Sequence, residues 1–260
     1  MPGQVHCEVE HHVGWIVFDH PERRNALSAN MWAELSEAAR RHQADDEVRV
    51  VVMRGAGDTA FVSGADISQF EGSGGGEVQG GLVRGGGNAF NDLAALDKPL
   101  IAMIHGWCIG GGLAVALMAD MRYADEGARF GIPAARLGVG YDLGGIEALA
   151  DEVGLSRAKE ILFTADRYTA DEALAMGLIG KVLPKPELEG YVRDLVGRIA
   201  ENAPLTVRSV KILSREIRRE SAQRDAAKVK AAVAACFESE DFAEGVEAFL
   251  QKRAPRFKGR

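Results

Sequence analysis

Two glycine-containing segments offer the clearest chemistry in this chain. One reads Ala60-Phe61-Val62-Ser63-Gly64-Ala65-Asp66-Ile67, the other His105-Gly106-Trp107-Cys108-Ile109-Gly110-Gly111-Gly112. Each follows an apolar, strand-like run, residues 48–53 and 100–104, so each would present free backbone N–H groups at a strand end. The second also opens a helix, whose dipole adds partial positive charge at that point. Two such N–H groups converging on one oxygen form an oxyanion hole, in which each donor contributes about 3–4 kcal/mol of transition-state stabilisation. Taken singly, either segment would serve equally as a tight turn. Signatures of other chemistries are absent: no G-x-x-x-x-G-K-[ST], no G-x-S-x-G, no H-E-x-x-H, and no dinucleotide fingerprint after a strand. Cys7, Cys108 and Cys236 fit neither a zinc site nor a disulfide framework, so no metal is expected. His11-His12 reads as a surface turn.

The elements that would position these segments follow from periodicity. Residues 13–18 form an apolar run, with residues 5–9 as a hairpin partner. Ser28 is placed to cap a helix to about Gln43, with Met31, Leu35, Ala38 and Ala39 inward. Strands alternating with helices predict an α/β layer with crossover connections. Beyond Gly144 the pattern turns helical, with short helices at 146–153, 156–164 and 170–176 and longer ones at 187–201, 204–219, 222–237 and 242–253. Between Gly72 and Gly87, nine of sixteen residues are glycine, which predicts a mobile surface loop beside the first segment.

Composition narrows the class. A 260-residue chain with 47% hydrophobic and 27% charged residues suits a soluble folded protein. The formal net charge of −7 argues against general nucleic-acid binding, although the tail 251–260 is basic. Residues 100–119 are apolar enough to suggest a membrane span, but the interrupting glycines favour a strand, a turn and a buried helix. Without a signal peptide pattern, a cytoplasmic location is expected.

Together, the two segments and their surroundings resemble the crotonase superfamily, the enoyl-CoA hydratase/isomerase family. The resemblance extends over Pro21-Glu22-Arg23-Arg24-Asn25-Ala26-Leu27, residues 61–67, residues 106–120, Phe130-Gly131-Ile132-Pro133, residues 169–182 and Glu244-Gly245-Val246-Glu247-Ala248-Phe249 with Lys252-Arg253. It implies a repeated ββα superhelical core over residues 1–200 and a C-terminal helical trimerisation part, residues 201–260, that helps to cover coenzyme A. It implies an acyl-CoA thioester whose carbonyl accepts from the N–H groups of Ala65 and Gly111, with Gly110 beside them. Ser63, Ala65 and Ile67 would meet the adenine part through their backbone, with Asp66 in the same turn among the substrate contacts, and Arg23 or Arg24 would meet its phosphates. Phe249 and Lys252 would reach coenzyme A, in many relatives from a neighbouring subunit. A homotrimer or a pair of trimers is implied, coenzyme A being part of the substrate rather than a separate cofactor.

The chain departs from the family pattern at both water-activating glutamates, whose positions hold Ala114 and Ala134. Asp142, eight residues after Ala134, matches a position that carries a catalytic aspartate in dienoyl-CoA isomerases and a nucleophilic one in aroyl-CoA dehalogenases. Beside Tyr141 in an apolar pocket, it would act as an acid/base in a double-bond shift. The alternatives are a helix cap near Gly145 for Asp142, and hydration or non-catalytic acyl-CoA binding for the protein. Asp66, Asp120 and Glu147 read as structural or solvent-facing.

Overall fold

The computed structural model describes residues 2–66 and 86–260. Ile67 and most of the glycine-rich stretch, expected to be a loop, lie outside the described residues.

The chain opens with a hairpin, β1 (Gln4–Glu10) and β2 (Val13–Asp19), followed by helix α1 (Ala29–Ala44). The Ser28 hydroxyl accepts from the Met31 N–H at 3.3 Å and caps α1, whose inner face buries Met31, Trp32, Leu35, Ala38 and Ala39. Three units of like form come next. They are β3 (Val50–Gly55), β4 (Ala60–Val62) and α2 (Gly86–Ala95), then β5 (Leu100–Ile104), β6 (Trp107–Ile109) and α3 (Gly111–Leu117), then β7 (Met121–Asp125), β8 (Arg129–Gly131) and α4 (Ala134–Leu137). The first strand of each unit joins one sheet and the second another. The larger sheet has the order β1-β2-β3-β5-β7-β10 and the smaller β4-β6-β8-β9, with β9 spanning Tyr168–Thr169 and β10 Lys181–Leu183. This is the repeated ββα core that the family resemblance implies. The apolar 100–119 stretch divides into β5, a turn, β6 and α3, and no described helix is long and apolar enough to cross a membrane.

Side chains of β3 and β5 alternate between two buried layers. Val51, Met53, Leu100, Ala102 and Ile104 face α1 and α3, whereas Val50, Val52, Ile101 and Met103 face α7 (Lys185–Glu201) through Leu188, Val192 and Val196. A strand covered on both faces reads as one unbroken apolar run, which is why periodicity alone located it. Helix α5 (Leu143–Thr164) breaks at Gly154, where φ is +77°, giving the two short helices expected there. The capping box of Thr169 and Glu172 starts α6 (Ala170–Ala175).

Helices α8 (Pro204–Ile217), α9 (Ala226–Phe237) and α10 (Glu240–Gln251) complete the chain. They are fastened to the amino-terminal ends of the parallel strands. Arg208 and Arg215 pair with Asp97 at 2.7 and 2.9 Å, and Lys211 reaches the Lys98 carbonyl at 2.7 Å and Asp120 at 2.8 Å. Arg49 donates to the carbonyls of Ala200 and Phe257, each at 2.9 Å. Every one of these contacts leads into β3, β5 or β7, which leaves the carboxyl-terminal ends of the strands for the glycine segments.

The β1–β2 turn is strained. His11 and His12 take φ values of +48° and +66°, a conformation that suits Asn-Gly and costs other residues about 1–2 kcal/mol each. Replacing the pair by Asn-Gly should raise the melting temperature by about 2–4 °C in calorimetry.

Candidate active site

The two glycine segments meet at the carboxyl ends of β4 and β6. A Cβ placed on Gly110 would stand 4.0 Å from Gly64 Cα, and one placed on Gly111 would stand 3.5 Å from the Ala65 nitrogen. Gly64 accepts from the Leu27 N–H at 2.8 Å, and Asp66 donates to the Leu27 carbonyl at 3.0 Å. That parallel bridge turns the Ala65 N–H away from Leu27. Gly111 is the first residue of α3, so its N–H has no helical acceptor. Neither N–H has a hydrogen-bond acceptor among the described residues, and both residues are half-buried.

Local packing enforces this approach. A Cβ at Gly112 would come within 2.1 Å of the Val62 carbonyl oxygen, so only glycine lets α3 press against the end of β4. Gly106, at φ +57°, turns the chain from β5 into β6 with its α-carbon directly above the Thr59 carbonyl, 1.9 Å from any added Cβ. The end of β8 supports the turn from the other side, because Gly110 donates to Gly131 at 2.8 Å and Pro133 Cδ packs 3.7 Å from the Gly110 Cβ position.

The 21–27 segment lies against the first glycine segment. Ser63 donates to the Arg24 carbonyl through its N–H at 3.1 Å and to the Arg23 carbonyl through its hydroxyl at 3.2 Å. Both arginines are exposed, and the Arg24 guanidinium stands 5.6 Å from the Trp107 ring centroid. Sequence reasoning gave no role to Asn25, yet this buried side chain holds the region together. Its Oδ1 accepts from the His20 N–H at 2.9 Å, and its Nδ2 donates to the carbonyls of Ala56 and Ala60 at 3.0 and 2.7 Å. An asparagine in a proline-led turn, where it takes φ +57°, is the signal that could have marked it. Burial pushes the Cys108 thiol up and the His105 imidazole down, so both stay neutral beneath the site.

Arg23, Arg24, Ser63, Ala65, Asp66, Gly110 and Gly111 are therefore gathered in one region. Ala114 lies one turn into α3, its N–H bonded to the Gly110 carbonyl at 3.0 Å, and Ala134 is buried directly after Pro133. No carboxylate stands at either position. Asp142 differs from expectation in its surroundings. It is exposed at the start of α5, where its Oδ1 accepts the Gly145 N–H at 2.7 Å, because the cap draws the carboxylate to the helix end. Its Oδ2 has no acceptor or donor partner among the described residues. Tyr141 is partly buried, and desolvation followed by the Asp142 charge pushes its phenol up to about 12. Asp120 anchors the start of β5 through the Leu100 N–H at 2.7 Å, and Glu147 is exposed.

Phe249 and Lys252 are not brought to this region within one chain. Helix α10 packs on α9, and the tail beyond it touches Arg49 at the amino-terminal end of β3, opposite the glycine segments. Phe249 is 84% exposed, and Lys252 ends α10 in a left-handed conformation at φ +53°.

Similarity to known proteins extends over nearly the whole chain. A family model described as enoyl-CoA hydratase/isomerase matches residues 8–260. The short-chain-enoyl-CoA hydratase of Clostridium acetobutylicum is 35% identical over 256 residues, covering 96% of this chain and 95% of that protein. Carnitinyl-CoA dehydratase of Proteus mirabilis is 34% identical over 265 residues, covering 100% of both. Among solved structures, an enoyl-CoA hydratase/carnithine racemase from Magnetospirillum magneticum superposes with a TM-score of 0.92 at 29% identity, covering 98% of this chain and 96% of that one. An enoyl-CoA hydratase from Bacillus anthracis gives 0.88 at 30% identity, covering 99% and 100%. Agreement in sequence over nearly the full length, and in fold over nearly every element, places the chain in the enoyl-CoA hydratase/isomerase family of enzymes.

Proposed function

We propose that the protein binds an acyl-CoA thioester with its carbonyl oxygen between the N–H groups of Ala65 and Gly111, and shifts a carbon–carbon double bond in the acyl group. The Asp142 carboxylate removes a proton from one carbon next to the conjugated system. The electron pair moves onto the thioester oxygen as an enolate, held by the two N–H donors, and the Asp142 carboxyl returns the proton to another carbon of the acyl chain. No atom is gained or lost, and no separate cofactor takes part. The observation that carries this reading is the Asp142 carboxylate, with one oxygen fixed by the Gly145 N–H and the other unpartnered among the described residues, while positions 114 and 134 hold alanine. Arg23, Arg24, Ser63, Asp66, Ile67, Gly110 and Tyr141 complete the proposed contacts to substrate and coenzyme A.

Hydration is the second reading, favoured by the hydratase names of relatives at 34–35% identity. In that case Asp142 or a substrate group would orient the water. The two reactions separate by mass. With 2-enoyl-, 3-enoyl- and dienoyl-CoA panels, an isomerase returns a mass-neutral product and a hydratase one that is heavier by a water. Asparagine caps helices as well as aspartate does, so Asp142→Asn should keep the melting temperature and lower turnover by about 10²–10⁴-fold. Undiminished turnover in Asp142→Asn would remove Asp142 from the mechanism. Binding without turnover across the panel would favour an acyl-CoA-binding role.

The carbonyl site has its own test. A Cβ on Gly111 meets only ordinary contacts, at 3.5 Å from the Ala65 nitrogen and 3.7 Å from Gly64 and Trp32, but it would crowd an oxygen approaching the Ala65 N–H. Gly111→Ala should fold normally and lose about 10²–10³-fold in turnover, the scale of one missing donor. Gly112→Ala, one residue on, should fail to fold stably, because its Cβ meets the Val62 carbonyl at 2.1 Å. Thermal melts and steady-state rates of the two variants read the contrast.

The assembly we propose is a homotrimer or a pair of trimers built through residues 201–260, with Phe249 and Lys252 reaching a neighbour's coenzyme A. The exposed Phe237, Phe242, Val246, Phe249 and Leu250 on α9 and α10 support it. Native mass spectrometry should give three or six chains, and a monomer at micromolar concentration would contradict it.

A further inference from the structure

A buried aromatic side chain stands close to the two proposed donors. The Cβ position on Gly111 that lies 3.5 Å from the Ala65 nitrogen also lies 3.7 Å from Cζ2 of Trp32. Trp32 stands on α1, is 1% exposed, and belongs to the same buried layer as Met31, Leu35 and Leu93. Phe90 of α2 packs against its ring at a centroid distance of 5.5 Å and an angle of 41°. The indole therefore has no packed-core space into which to swing, since interiors are filled close to crystal density. Cζ2 is bonded to the ring carbon that also bears Nε1, and Nε1 is buried without a hydrogen-bond partner among the described residues. Among those residues, packing and not a hydrogen bond holds the indole edge towards Gly111.

We infer that Trp32, backed by Phe90, closes the acyl end of the pocket and restricts the substrate to short acyl groups. This deepens the acyl-CoA reading above and rests on it. An acyl chain running inward from a carbonyl held by Ala65 and Gly111 meets the indole edge at Cζ2, and lengthening it requires the aromatic pair to move. A smaller residue at 32 opens volume directly in line with the chain. Each added methylene that finds apolar contact there tightens binding about four-fold.

The test is calorimetric titration with saturated acyl-CoA esters, whose binding does not depend on which reaction the enzyme performs. Acetyl-, butyryl-, hexanoyl-, octanoyl- and dodecanoyl-CoA would be titrated into wild type, Trp32→Leu, Trp32→Phe and Trp15→Leu. Trp15 is also buried, but in the layer beneath α7 on the other face of the larger sheet. Wild-type affinity should rise over the shortest esters and fall beyond a cutoff. Trp32→Leu should move that cutoff to longer chains and tighten the first excluded ester about ten-fold, Trp32→Phe less, and Trp15→Leu not at all. Equal wild-type affinity from butyryl to dodecanoyl would overturn the inference without any variant. An unmoved cutoff in folded Trp32→Leu, or the same movement in Trp15→Leu, would also overturn it while acyl-CoA binding stands. No binding of any ester would overturn the acyl-CoA reading and this inference with it.

Discussion

The contact between the first turn of α3 and the end of β4 governs the rest of the site. At Gly112 the helix backbone lies so close to the Val62 carbonyl that no side chain fits, and this closeness carries Gly111 to Ala65. Around it the structure uses several glycines and one buried asparagine, residues of little use to a core, to hold two backbone N–H groups that have no acceptor among the described residues. Unsatisfied donors in a half-buried position cost stability unless a ligand accepts from them. Their retention here is understandable as the preorganised part of an oxyanion site, since donors fixed before reaction need no rearrangement as charge develops.

The two sheets explain how such closeness is reached and kept. Each ββα unit sends one strand to the larger sheet and one to the smaller, so the ends of β4, β6 and β8 stack beside one another. Gly131 at the end of β8 supports Gly110, and Asn25 ties the 20–27 segment to the 56–60 turn. The larger sheet, covered on both faces, is the rigid base beneath these turns. Contacts from α8 and the tail clamp the opposite, amino-terminal ends of its central strands, so the C-terminal helices are attached where they leave the glycine segments open.

Much of this was legible in the sequence, and the reasons are local. Helix α1 was marked by Ser28 and its inward residues, β5 by five consecutive apolar side chains, and α5 by two short helical patterns that meet at the Gly154 break. The meeting of the glycine segments was legible only through family resemblance, because it depends on contacts between residues some 46 positions apart, as from Ala65 to Gly111. What periodicity could not give were the long-range polar links, such as Asn25 to Ala60 and Arg49 to Phe257, which leave no repeating pattern. The expected apolar pocket around Asp142 failed for a local reason. The adjacent Leu143 is 72% exposed, and the carboxylate satisfies a helix end.

The central claim is that the N–H groups of Ala65 and Gly111 both hold a thioester oxygen. Isotope-edited infrared difference spectroscopy of a short acyl-CoA, labelled with carbon-13 at the thioester carbonyl, tests it on the wild-type protein. The account predicts that the carbonyl stretch of the bound ester moves to lower frequency than in water, because two preorganised donors polarise the bond in a site with less competing solvent. A saturated complex whose carbonyl stretch stays at its aqueous position, or moves to higher frequency, would contradict the account.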